Sequence, residues 1–217
     1  MSSQSACRYP NYRKELLKLE NEDQSEIRNN FHRISLIESE DLKQQEYEAI
    51  ARKCHSRAHH AVEILEAIQD PNAENIGEDG VDALLLLIQH SYLDIMKKVL
   101  PRVEAFVYKE KNSSAIQSIP SVRDRIMVLE ARKQIFGTQW FTDKRGKPFL
   151  IETENFNTVN QRRAEYGLGP VRKPVNLAVG AVKYPLGNGL ATENDQKAMT
   201  DEEYAQYSQF YLTSLLS

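Results

Sequence analysis

Apolar residues recur at helical spacing through most of the chain ahead of residue 137. Between Tyr12 and about Ile37, the positions Leu16, Leu17, Leu19, Ile27, Phe31 and Ile34 trace a charge-rich helix, with a break expected near Asn29 and Asn30. A second helix should start near Ser39 or Asp41. Its residues Tyr47, Ile50, Cys54, Ala58, Ala61, Val62, Leu65 and Ile68 step by threes and fours as one buried stripe, which Pro71 ends. The stretch Gly77-Glu78-Asp79-Gly80 is turn and N-cap chemistry, so a helix is predicted from about Val81 to Leu100. Leu84 to Ile88 are all apolar, and at about 100° per residue they sweep about 400°; this helix is apolar all round there and should be central. Pro101 either kinks it or opens the next helix, which carries Val103, Phe106 and Val107.

Residues 109–118 read as polar loop. Pro120 suits the first turn of a helix reaching about Phe136, with Gly137 as its left-handed C-terminal cap. Gln139-Trp140-Phe141 and Pro148-Phe149-Leu150-Ile151 flank Asp143-Lys144-Arg145-Gly146, the pattern of a small β-hairpin. A helix follows over roughly 157–166, ending at Gly167, and then a loop over 169–191 that is rich in proline and glycine. Thr200-Asp201-Glu202-Glu203 is a capping box for a closing helix to about Leu215. The expected fold is therefore mainly α, a helical bundle of five to seven helices with one small β-hairpin. It divides into a helical domain over 12–173 and a loop plus C-terminal helical extension over 174–217.

Length and charge narrow the function classes. The 217 residues suffice for one core without staples. A net charge of −3 argues against a protein that wraps nucleic acid or coats an anionic membrane. Charge is uneven, however: residues 121–173 hold eleven Lys plus Arg against six Asp plus Glu, a local +5 that suits an anionic small molecule or an acidic partner. Cys7 and Cys54 alone make a poor disulfide framework and fit a reducing compartment. Met1 to Glu20 shows no secretory h-region, and the longest apolar run, Ala83 to Ile88, is far short of the roughly 20 residues that span a bilayer. The expectation is a cytoplasmic protein; one exported without a leader would look the same. Oligomeric state is not legible.

Polar residues in apolar surroundings are the candidates for chemistry. Gln89-His90 follows directly on the Leu84–Ile88 run, and a buried amide or imidazole without partners costs about 1–3 kcal/mol. Partners must therefore reach them from other helices, either as a satisfied structural network or as a ligand pocket. Asp124-Arg125 sits beside apolar stripes one helix later. Asp23, Gln24 and Arg28 form a polar cluster that, by itself, reads as a solvated face. His55, His59 and His60 lack the further ligands zinc requires, so no metal is expected, and no cofactor motif occurs. Cys54 lies on the apolar stripe as a core residue. Gln134 and Gln139 flank a Gly-capped turn beside Trp140, where a binding rim is common.

Asp23-Gln24 with Arg28, Gly77-Glu78-Asp79-Gly80, Gln89-His90, Asp124-Arg125, Gln134-x-Phe136-Gly137-Thr138-Gln139, and Arg162-Arg163 followed by Gly167-Leu168-x-Pro170 together resemble the ordered signature of a bacterial family of unknown function, over roughly Glu15 to Pro170. That resemblance implies no reaction. The family's usual tyrosine before Gly-Thr-Gln is Phe136 here, which removes a phenol hydroxyl, and Asp70-Pro71-Asn72 replaces its tryptophan-proline.

The expected site is a polar pocket between helices for a small polar or anionic ligand. His90 is its general acid/base, with Asp23 or Asp124 fixing the histidine tautomer. Arg28 and Arg125 would orient an anion, and Gln24, Gln89, Gln134 and Gln139 line the pocket. The rival is a non-enzymatic interaction protein whose buried polar residues form a closed network.

Overall fold

In the computed structural model, residues 7–109, 114–142 and 148–171 are described, and they are mainly helical. Six α-helices follow in order: α1 (Pro10–Ser35), α2 (Glu40–Ile68), α3 (Ala73–Gln89), α4 (Leu93–Lys109), α5 (Ile119–Leu129) and α6 (Val159–Glu165). Short 3-10 turns occur at Ser114–Gln117 and Phe156–Thr158. Strands β1 (Trp140–Thr142) and β2 (Pro148–Leu150) pair antiparallel, with Trp140 opposite Leu150. The turn expected at Asp143 to Gly146 lies outside the described residues, as do the loop and closing helix expected within 174–217. Among the described residues no helix is long and apolar enough to cross a membrane.

Helix α3 sits at the centre, with α1, α2, α4 and α5 packed around it. Its Val81, Leu84, Leu85, Leu87 and Ile88 are buried against Leu16 of α1, Leu65 of α2, Met96 and Val103 of α4 and Val122 of α5 in one apolar cluster. A smaller cluster of Ile27, Ile34, Ile50, Ala51 and Cys54 joins the far halves of α1 and α2. Helix α1 begins with proline in its first turn, where the missing N–H costs nothing. It passes Asn29 and Asn30 without the expected break, and the Asn30 amide donates to the Glu26 carbonyl of the same helix at 2.8 Å. Ser39 caps α2, and that helix ends before Pro71 through Gln69 at φ 61°, where the Arg102 guanidinium donates to the Leu65 and Gln69 carbonyls.

The Gly77-Glu78-Asp79-Gly80 stretch divides α3 at a kink into a short first piece and the longer apolar helix that follows. Asn72 caps a first turn through the Asn75 N–H, and Gly77 then breaks the helical path at φ +76°. A Cβ at Gly77 would lie 2.7 Å from Asp79 Oδ1 and 2.9 Å from Arg13 Nε. Glycine is thus what lets the Arg13–Asp79 pair, at 2.8 and 2.6 Å, tie α1 to α3.

Two helix boundaries differ from the sequence reading. The helix expected over Val81–Leu100 is two helices: α3 stops at Gln89, the His90 N–H bonds the Leu87 carbonyl, and Ser91 Oγ bonds the Ile88 carbonyl at 2.6 Å. Pro101 consequently lies inside α4. The helix expected to reach Phe136 ends at Leu129, with Ala131 at φ 55°. Gly137 takes a left-handed conformation, as its type allows, but in the loop beyond. Periodicity does not report either stop: at α3 the His90 and Ser91 groups bond carbonyls out of helical register, and at α5 Ala131 turns left-handed while the Ala131 and Arg132 N–H groups bond the Val128 and Met127 carbonyls.

Candidate functional site

His90 is placed by the α3 C-terminus, and Asp23 lies on the core stripe of α1. Leu16, Leu19, Asp23 and Ile27 are all buried at spacings of three and four. Across this junction His90 Nδ1 and Asp23 Oδ2 are 2.6 Å apart, with both side chains buried. Arg57 of α2 donates to the other carboxylate oxygen at 3.3 Å and to Glu26 at 3.3 Å, and Lys53 reaches Glu26 at 2.8 Å. Side-chain exposure falls along this chain of charges from 58% at Lys53 through 20% at Glu26 and 13% at Arg57 to 0% at Asp23, so a line of ion pairs leads from solvent to the imidazole.

Protonation follows from these contacts. Burial pushes the Asp23 carboxyl up, but the His90 hydrogen bond and charge, the Cys54 thiol and the Arg57 charge outweigh it and hold the group below the usual carboxylate range. Burial is also the largest influence on His90 and lowers it; Asp23 opposes, and the charges of Arg125 and Arg57 lower it further. The pair is therefore a carboxylate and a neutral imidazole near neutral pH. A carboxylate only accepts, so Nδ1–H donates to Asp23, and Nε2 is left as the basic nitrogen. Cys54 is raised by burial and by the Asp23 charge beside it, so it is an inert core thiol.

Next to this junction His55 is buried, its ring centroid 3.8 Å from that of Tyr92 at 49°. Burial, then the His90 charge, lower it to about 4, against Asp23. His55 and Tyr92 both line an open groove of about 530 Å³ on the outer face of α2.

Asp124 occupies a different place. Its Oδ1 accepts from the N–H groups of Ile135 (2.7 Å) and Phe136 (3.0 Å), and its Oδ2 accepts from the N–H and hydroxyl of Thr138, each at 2.9 Å. Burial raises it, and these hydrogen bonds pull it down without cancelling the rise. The Gln134 side chain accepts from the Gln139 N–H and donates to the Gln139 and Ile151 carbonyls. Gln139 Nε2 donates to the Ser121 carbonyl, while its buried Oε1 has no hydrogen-bond partner among the described residues. Arg162 and Arg163 of α6 donate to the Ile135 and Phe136 carbonyls. The motif around Gly137 is thus a loop locked onto α5 by the Asp124 carboxylate.

The nine residues singled out from sequence fall into three groups. Asp23 and His90 meet directly, and Arg125, buried on α5, is within charge reach of His90. Asp124, Gln134 and Gln139 belong to the loop lock, so of the two carboxylates offered as the partner of His90 it is Asp23 that reaches it. Gln24 is half-buried; Gln89, expected to be buried with His90, is half-buried too, because the helix stops there; and Arg28 is exposed, its guanidinium donating to the Gln24 carbonyl of its own helix at 3.1 Å. Sequence reasoning missed Arg57, whose signal was a charge one position ahead of Ala58 on the α2 stripe, and Tyr92, for which no signal exists. Among the described residues no group of three or more His, Cys, Asp or Glu side chains could hold a metal ion. In comparisons with family models, curated proteins and solved structures, nothing matches this chain.

Proposed function

We propose that this protein binds a small polar or anionic molecule and moves a proton on it through His90. The observation that carries the reading is the 2.6 Å contact of His90 Nδ1 with a buried, ionised Asp23. It orients the ring, selects the Nδ1–H tautomer and stabilises the imidazolium that forms when Nε2 accepts a proton. Arg57 balances the Asp23 charge, and Arg125 disfavours a resting imidazolium, which keeps the base free. The ordered motifs around these residues support placing the chain beside the bacterial family that it resembles, without adding a reaction.

The test is a thermal-shift screen of the full chain against small phosphorylated and carboxylated compounds, followed by turnover assays on the hits. At least one compound should raise Tm for the parent protein and be turned over, and His90→Gln should keep the fold and lose turnover. A second reading rests on one observation: both oxygens of Asp124 and both of Asp23 are already engaged by protein donors. On that reading the networks are structural and the protein acts by docking a partner; His90→Gln would then unfold the chain while no compound in the screen shifts it.

A further inference from the structure

The groove beside the junction has a lining suited to a ligand. Arg52, His55, Ser56, His59 and His60 lie on one face of α2, at spacings of three and four with His60 beside His59, and Tyr92 comes from the turn between α3 and α4. All six side chains can donate an N–H or O–H. Two acids meet these donors, Glu63 of the lining at 3.5 Å from His59 and Glu15 of α1 at 3.1 Å from His60, so an incoming anion takes their place at the imidazoles. A concave site this rich in donors calls for a ligand rich in acceptors. Arg52 adds a permanent positive charge, and its nearest carboxylate, Glu48, stands off at 3.7 Å.

The groove also lies near the buried dyad. Tyr92 is two residues beyond His90, and its ring, tilted 49° to that of His55 with 3.8 Å between centroids, lines the groove together with it. His55, buried in this lining, is close enough to His90 and Asp23 for their charges to act on it.

Resting on the proton-transfer reading above, we infer that this groove is the site at which the small molecule is held, by an oxyanion (a phosphate or a carboxylate) bonded to Arg52 and the imidazoles of His55, His59 and His60. The rest of the molecule then lies over the His55–Tyr92 rings, on the side of His90. Specificity is for a compact anion, since the walls are one helix face and one tight turn.

The experiment is side-chain imidazole NMR of the full chain, titrated with inorganic phosphate and separately with acetate, against chloride at matched ionic strength. Saturable shifts of the His55, His59 and His60 signals are expected with one of the two oxyanions, and which one assigns the headgroup. Arg52→Ala should weaken that binding about tenfold. Arg52 is well exposed, so its loss leaves the fold intact. His90→Gln should leave oxyanion binding in the groove unchanged while removing turnover. Shifts equal to those with chloride, or unaffected by Arg52→Ala, overturn the groove assignment even where His90→Gln abolishes turnover. Saturable oxyanion binding together with full turnover by His90→Gln upholds the groove and overturns the proton-transfer reading instead.

Discussion

Among the described residues two carboxylates are buried, and they are used in opposite ways. Asp23 meets side chains brought by other helices: an imidazole, a guanidinium and a thiol. Asp124 meets chiefly the backbone of one loop, three N–H groups and the Thr138 hydroxyl. A carboxylate saturated by backbone donors acts as a cap and has no role left in moving protons, whereas one that faces an imidazole sets that ring's tautomer and charge. Burial alone therefore does not mark a functional acid. What counts is whether its partners can themselves change protonation state.

The largest effect expected from this contrast is on stability at the lock. Asp124→Ala leaves three backbone N–H groups and a hydroxyl without their acceptor and should cost about 3–5 kcal/mol in urea unfolding. A cost below about 1 kcal/mol would mean that water replaces the carboxylate and that the loop is not held by it.

Acid separates the two regions next. His55 is lowered to about 4, so its folded form stays neutral while the unfolded chain takes a proton from about pH 6.5 downward. Stability is full above that pH and is lost as pH falls toward 4, by about 3 kcal/mol from this residue. His90, also lowered, acts in the same direction, and Asp23 adds its own loss at lower pH. Asp124 is raised and has the opposite sign, gaining stability as pH falls through its folded value. Unfolding curves from pH 8 to 4 should therefore slope downward, and His55→Gln should flatten them; an unchanged slope would remove the desolvated imidazole from the account.

Asp23→Asn should cost about 2 kcal/mol, less than loss of the lock, because Arg57 keeps Glu26 as a partner. The sharper readout is the His90 imidazole by NMR. An amide can donate as well as accept, so the Nδ1–H form should lose its exclusive population, and retention of that tautomer would show that something other than Asp23 selects it. Arg28→Ala should be the smallest change, within about 0.5 kcal/mol and without effect on ligand binding, because Arg28 is exposed and its guanidinium bonds a carbonyl of its own helix.

Local patterning was enough to foresee the mainly helical class, the central place of the Leu84–Ile88 run and the burial of His90, since amphipathic spacing and a run that leaves no polar face are properties of consecutive residues. The position of Asp23 was legible too, four residues ahead of Ile27 on the buried stripe, though its neighbours Gln24 and Arg28 made it look like part of a solvated face. Which carboxylate would meet His90 was decided only by tertiary structure. Residues 23 and 90 lie on separate helices, and the choice depends on how α1 crosses α3 and on α3 stopping at Gln89, which turns the imidazole toward α1. Asp124 likewise finds its partners well beyond its own helix: its carboxylate captures the N–H groups of residues 135, 136 and 138. A local periodicity carries no information about bonds formed across such separations. The sequence alone thus determined the helical stripes and the burial of His90, and the packing of the helices decided which polar residues join it there and which stay at the surface.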